Sequence, residues 1–206
     1  MADTEQPQIY LVTPPAFELS DFPQQLAAVL DAREVACVRL AMASTDADRL
    51  SRAADALREV THARDIALVI DSHVGLAETH GLDGVHLTDG ARSVRSVRKS
   101  LGSDAIVGAY CHASRHDGMT AGEAGADYVS FGPVGVSPLG DGTRAEAALF
   151  TWWSEMIEVP VVAEGQLDAD LVPTLAAHTD FFGIGEEIWR EDDPVAALNT
   201  ILAGLT

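Results

Sequence analysis

GADYVSFGPVGVSPLGDGT, residues 125–143, joins a short strand-like run, Tyr128-Val129-Ser130-Phe131, to a loop opened by Gly132-Pro133 and carrying four further glycines and prolines. A run of aromatic and β-branched residues bounded by Gly and Pro reads as a strand. Short runs rich in β-branched residues recur along the chain, in IYLVT (9–13), VACVRLA (35–41), ALVID (67–71), GVHL (84–87), IVGAYC (106–111), PVVAE (160–164) and FFGIG (181–185), which makes eight runs in all. Between them, apolar residues recur at helical spacing. Residues 46–60 place Leu50, Ala53, Ala54 and Leu57 on one face behind aspartates in the first turn, and residues 92–101 do the same with Val94, Val97 and Leu101. Nearly continuous apolar strands alternating with helices predict an α/β fold with a parallel sheet covered on both faces, and eight of them predict a (β/α)8 TIM barrel. An open doubly wound sheet is the alternative. It usually carries a glycine fingerprint after its first strand, where this chain has TPPAFELS.

The length of 206 residues suits one barrel domain spanning 1–206, and 47% apolar residues suffice for its core without disulfides or structural metal. Cys37 and Cys111 lie inside apolar runs without C-x-x-C spacing, as buried free thiols do. No apolar run nears the roughly 20 residues of a membrane span, and the polar start MADTEQPQ is unlike a signal peptide. A cytoplasmic location is expected. The net charge of −19, with Lys99 the single lysine, disfavours nucleic acid and anionic membranes as partners.

Active sites of such barrels form at the C-terminal ends of the strands. Those ends offer Thr13, Arg39, Asp71, His73, His86, Asp89 and His112, then the 133–137 turn, Glu164-Gly165-Gln166 and Glu186-Glu187. Arg39 stands among apolar neighbours, placed either to pair with a barrel carboxylate such as Asp71 or to grip an anionic ligand with its bidentate fork. His112 directly follows the fifth strand and can move a proton near neutral pH. His86 falls within its strand and is expected to bond inside the barrel. Asp71 and Asp89 are the candidate ligands for Mg2+, which takes one or two carboxylates plus waters.

IYLVT, VRL on strand two, DGVHL, GADYVSFGPV and VPVVAEGQLD, in that order along nearly the whole chain, resemble the thiamine phosphate synthase family and its TenI-type relatives, the thiazole tautomerases. The resemblance implies a barrel acting in thiamine biosynthesis on thiazole phosphate or aminopyrimidine compounds, and it leaves room for a homodimer. The family's synthases join a pyrimidine pyrophosphate to a thiazole phosphate, with Mg2+ holding the pyrophosphate, through a dissociative, carbocation-like step. An active member would be either such a transferase, a thiamine-phosphate diphosphorylase, or a tautomerase, an isomerase.

Position by position, this chain departs from the synthase pattern. Q-x-R-x-K on strand two is Cys37-x-Arg39-x-Ala41, so only the arginine stays. The N-D after strand three is Asp71-Ser72, and H-x-G-Q-x-D is His86-Leu87-Thr88-Asp89-Gly90-Ala91, which moves or removes both metal carboxylates. The serine after strand five is Tyr110, with the following histidine kept as His112. P-x-x-P-T-x-T-K keeps one hydroxyl, Ser137, and loses its lysine; I-G-G is Glu164-Gly165-Gln166. Glu186 and Glu187 stand where the family's backbone receives phosphate. The resemblance thus implies catalytic roles for His112 and Arg39 and ligand contacts from Tyr110, Ser137, Glu164, Gly165 and Glu186. Departure of pyrophosphate requires its charge to be neutralised, so synthase activity is expected to be altered or lost. The two alternatives are a tautomerase using His112 and a non-catalytic binding barrel with an acidic mouth.

Overall fold

The computed structural model describes residues 6–205; the first five residues, part of the polar stretch set against a signal peptide, lie outside the described residues. Its elements run β1 (Gln8–Val12), α1 (Phe22–Ala32), β2 (Cys37–Leu40), α2 (Ala47–His62), β3 (Ala67–Asp71), α3 (Val74–His80), β4 (Gly84–Leu87) and α4 (Val94–Leu101). They continue through β5 (Ile106–Tyr110), α5 (Arg115–Glu123), β6 (Tyr128–Phe131), α6 (Ala147–Met156), β7 (Val161–Glu164), α7 (Leu171–Leu175), β8 (Phe181–Ile184), α8 (Glu186–Trp189) and α9 (Pro194–Ile201). The strands pair in sequence order, all parallel, and β8 closes on β1. This is the (β/α)8 barrel that the strand count predicts, and closure removes every exposed sheet edge.

Strand side chains alternate between two environments. Leu11, Val38, Leu68, Val85, Val107, Val129, Ala163 and Phe182 point outward into one large apolar layer beneath the helices. Each fully buried Leu or Phe there contributes roughly 1.5–3 kcal/mol. Tyr10, Cys37, Val69, Tyr128 and Val162 point inward and form a second, separate cluster. Space for the Tyr128 ring comes from Gly108 on the neighbouring strand, where any Cβ would run into it.

The helices form where caps and apolar spacing coincide. Asp46 accepts from the backbone N–H groups of Asp48 (3.0 Å) and Arg49 (3.1 Å), starting α2, which buries Leu50, Ala53, Ala54 and Leu57. Ser114 caps α5 through Asp117 N–H, and Asp193 caps α9 through Ala196 N–H. At the barrel's N-terminal end, three aspartates act alike. Asp83, Asp127 and Asp180, each directly before an even-numbered strand, accept the first or second N–H of the preceding odd-numbered one, at Leu68 (2.8 Å), Val107 (2.7 Å) and Val161 (2.8 Å). Both cysteines are free and buried, and burial raises each thiol to about 12. Among the described residues no helix is long and apolar enough to cross a membrane.

Candidate functional site

Inside the barrel the inward positions carry polar groups as well as apolar ones. Arg39, 6% exposed, reaches across the interior from β2. Its Nη1 donates to Glu164 on β7 (3.0 and 3.3 Å) and to His86 Nε2 on β4 (3.1 Å), and its Nε lies 3.1 Å from Asp71 Oδ1 at the end of β3. An arginine only donates, so His86 Nε2 accepts and the imidazole proton sits on Nδ1. That proton points to the Tyr128 hydroxyl (3.0 Å), which lies 2.6 Å from the hydroxyl of Tyr10. Burial holds His86 well below the usual imidazole range, with Arg39 adding to the effect. His86 therefore stays neutral, and it hydrogen-bonds inside the barrel, as its place within the strand led one to expect.

Arg39 thus faces carboxylates on two sides, one of them the Asp71 anticipated as a partner. Asp71 is raised by burial to about 6, with Arg39 opposing the rise and Glu164 adding to it. Glu164 is 3% exposed. One guanidinium facing two carboxylates leaves no positive excess for a ligand anion when both are ionised.

Above this layer opens a cavity of about 230 Å³ lined by Val12, Arg39, Ser137, Pro138, Leu139, Glu164, Gly165, Gln166, Gly183, Gly185, Glu186 and Glu187. Of the candidate residues, Arg39, Ser137, Glu164, Gly165 and Glu186 come together here. The Ser137 hydroxyl accepts from Leu139 N–H (3.2 Å), bracing its own turn. Gly165 takes a left-handed φ of 89°, and a Cβ there would press on Pro133. Glu186 is exposed, whereas the Glu187 carboxylate turns inward: Oε1 accepts from Gln166 N–H (2.7 Å) and Leu167 N–H (3.1 Å), and Oε2 from Gly185 N–H (2.7 Å).

His112 and Tyr110 sit to one side, with ring centroids 4.5 Å apart. Tyr110 donates to the Gly132 carbonyl (2.7 Å), and burial raises its phenol above the usual range. The 132–146 loop is sewn to the barrel at its base: Val134 N–H and Gly135 N–H reach the Gly165 carbonyl, and Ala145 N–H reaches that of Pro133. Its crest passes over His112, close enough that a Cβ on Gly140 would meet His112 Nδ1 at 2.9 Å. Arg144, the one cation within this loop, spends Nε and Nη2 on the Val134 carbonyl (3.1 and 2.9 Å). Ser72, His112 and Gln166, each one or two residues beyond β3, β5 or β7, hold φ near +53 to +63° without being glycine. Such strained non-glycine residues cluster where a rim must be shaped.

The two candidate Mg2+ carboxylates, Asp71 and Asp89, each have a partner within the protein. Asp71 faces Arg39, and exposed Asp89 accepts from the Ser93 hydroxyl (2.6 Å). Among the described residues no three of His, Cys, Asp and Glu converge as metal ligands. Glu187 and the Arg39–Glu164 pairing were the features hardest to read from sequence. The run Gly185-Glu186-Glu187 announced carboxylates at strand eight, but which of the two turns inward depends on the α8 turn.

A family described as thiamine monophosphate synthase matches residues 9–183. A thiamine-phosphate synthase of Rhodospirillum centenum is 41% identical over 205 residues, 96% of this chain and 98% of that one. Another, from Erythrobacter litoralis, is 36% identical over 95% of both chains. Among solved structures, a thiamine phosphate pyrophosphorylase from Pyrococcus furiosus superposes with a TM-score of 0.82 over 97% of both chains at 18% identity, a likeness of fold. With the barrel, the order of its motifs and these relatives in agreement, the chain belongs to the thiamine monophosphate synthase family.

Proposed function

We propose that this chain serves thiamine biosynthesis as a divergent thiamine phosphate synthase/TenI-type barrel that binds a thiazole or aminopyrimidine moiety, with the synthase reaction altered or lost. The observation that carries this reading is Arg39, whose guanidinium is engaged by Glu164, His86 and Asp71. Pyrophosphate leaves only where cations or a metal take up the growing negative charge. Losing one such group typically costs ~2.7–4 kcal/mol of transition-state stabilisation. Here the arginine is shared between carboxylates, and Asp71, one of the two candidate metal carboxylates, faces that arginine. Aminopyrimidines, which are neutral or cationic, suit an acidic mouth.

Calorimetric titration with the hydroxymethyl-aminopyrimidine, the hydroxyethyl-thiazole, their phosphates and thiamine phosphate tests the reading. Binding of one of these ligands in the micromolar range supports it, and heat from none of them overturns it.

A second reading has its own support. His112 is half-buried beneath the loop crest beside Tyr110, placed to shift a proton on a bound thiazole. A tautomerase working this way loses its turnover in His112→Ala, and unchanged turnover rejects it.

A further inference from the structure

Three backbone N–H groups from two different loops converge on one side chain, and that side chain is an anion. Gln166 and Leu167 follow β7 and Gly185 follows β8, so two of the three donors lie some 20 residues from Glu187 in sequence. The bond to Gly185 alone would be an ordinary brace at the start of a helical turn. The bonds to Gln166 and Leu167 are not local, and both fall on the same oxygen, Oε1. In barrels of this class, the loops after strands seven and eight commonly supply the N–H groups that hold a phosphate, and converging backbone N–H groups are an anion receptor wherever they occur. The cradle borders the cavity that also contains Arg39 and Ser137. Arg190 stands beside it, held by Gln166 Oε1 (3.0 Å) and the Glu186 carbonyl (2.9 Å).

We propose that Glu187 is a specificity-determining residue: its carboxylate is a built-in occupant of the anion cradle, so this mouth rejects phosphate monoesters and accepts unphosphorylated ligands. A phosphate can enter the cradle only by displacing a tethered anion of the same charge sign, and it would then share the mouth with that anion, Glu164 and Glu186 as well as with Arg39 and Arg190. A neutral alcohol or an amine meets no such competitor. The inference deepens the reading above by naming the ligand's headgroup, but its test needs no thiazole or pyrimidine, so either can fail alone.

The probe is inorganic phosphate, titrated at constant ionic strength into wild type, Glu187→Ala and Glu186→Ala, each checked for fold by circular dichroism. Binding is followed by calorimetry and by the thermal midpoint. Glu187→Ala is expected to bind phosphate at least about tenfold more tightly than wild type, and phosphate is expected to restore whatever thermal stability the substitution removes. Glu186→Ala removes the same charge without emptying the cradle and is expected to gain about threefold or less. Glu187→Gln, which keeps the length and loses the charge, replaces Glu187→Ala if that variant does not fold. Phosphate binding to wild type as tight as to the Glu187 variant would overturn the proposal. So would equal gains at positions 186 and 187, or no gain in a folded Glu187 variant.

Discussion

Arg39 shows how one side chain can keep its identity while changing its chemistry. A guanidinium buried between β2, β3, β4 and β7 must have partners, because an unpaired buried charge is costly. Here Glu164 and Asp71 provide them. Removing Glu164 leaves the cation with Asp71 and His86 only. Glu164→Ala should therefore destabilise the protein by about 3–5 kcal/mol, nearer the lower value because Asp71 still faces the guanidinium. Denaturant unfolding measures it, and a loss under about 1 kcal/mol would contradict the pairing. Asp71 adds a pH signature. A carboxyl harder to ionise in the folded than in the unfolded chain contributes stability that is full below its unfolded pKa of about 3.9 and is lost as pH rises through the folded value, here about 6. Asp71→Asn should thus gain on wild type between pH ~4 and ~7, by at most about 3 kcal/mol. A pH-independent difference between the two proteins would contradict the raised value.

The strands and helices were the most legible part of the sequence. Short runs rich in β-branched residues marked all eight strands, and the 46–60 spacing marked α2, because these signals are local. Boundaries moved where a backbone group finds a partner outside the ladder. The apolar run 35–41 yields only Cys37–Leu40, since Ala41 N–H turns to the Thr13 hydroxyl (3.0 Å). The predicted helix over 92–101 begins two residues later, at Val94. Asp71 could be matched to Arg39 because they end adjacent strands. Glu164 could not, because its approach to Arg39, 125 residues away, exists only once the barrel closes. The strand-start aspartates give this scale its own prediction. Asp180→Ala leaves Val161 N–H without its side-chain acceptor and should cost about 1–3 kcal/mol of stability, while ligand affinity at the opposite end of the barrel stays within about twofold. Equal stability of variant and wild type, measured by thermal or denaturant unfolding, would show that the brace is idle.

At the scale of the whole molecule, the proposed reading is that the fold is kept while the electrostatics of its mouth differ from the family's synthase motifs. The strand order and loop framework match those motifs, whereas the mouth carries Glu164, Glu186 and Glu187 around a guanidinium already engaged, within a chain of net charge −19. On the proposed reading, such a field opposes the approach of a diphosphate. The glycine-and-proline loop is sewn down at its base and crosses over His112, with its one arginine, Arg144, donating to the Val134 carbonyl. The most direct measurement is a synthase assay: purified protein at high concentration, the aminopyrimidine diphosphate, the thiazole phosphate and Mg2+, with thiamine phosphate quantified over hours. No product above the protein-free control is the predicted result. Steady, Mg2+-dependent formation of thiamine phosphate at rates typical of enzymes would contradict the claim that this mouth has lost its hold on diphosphate.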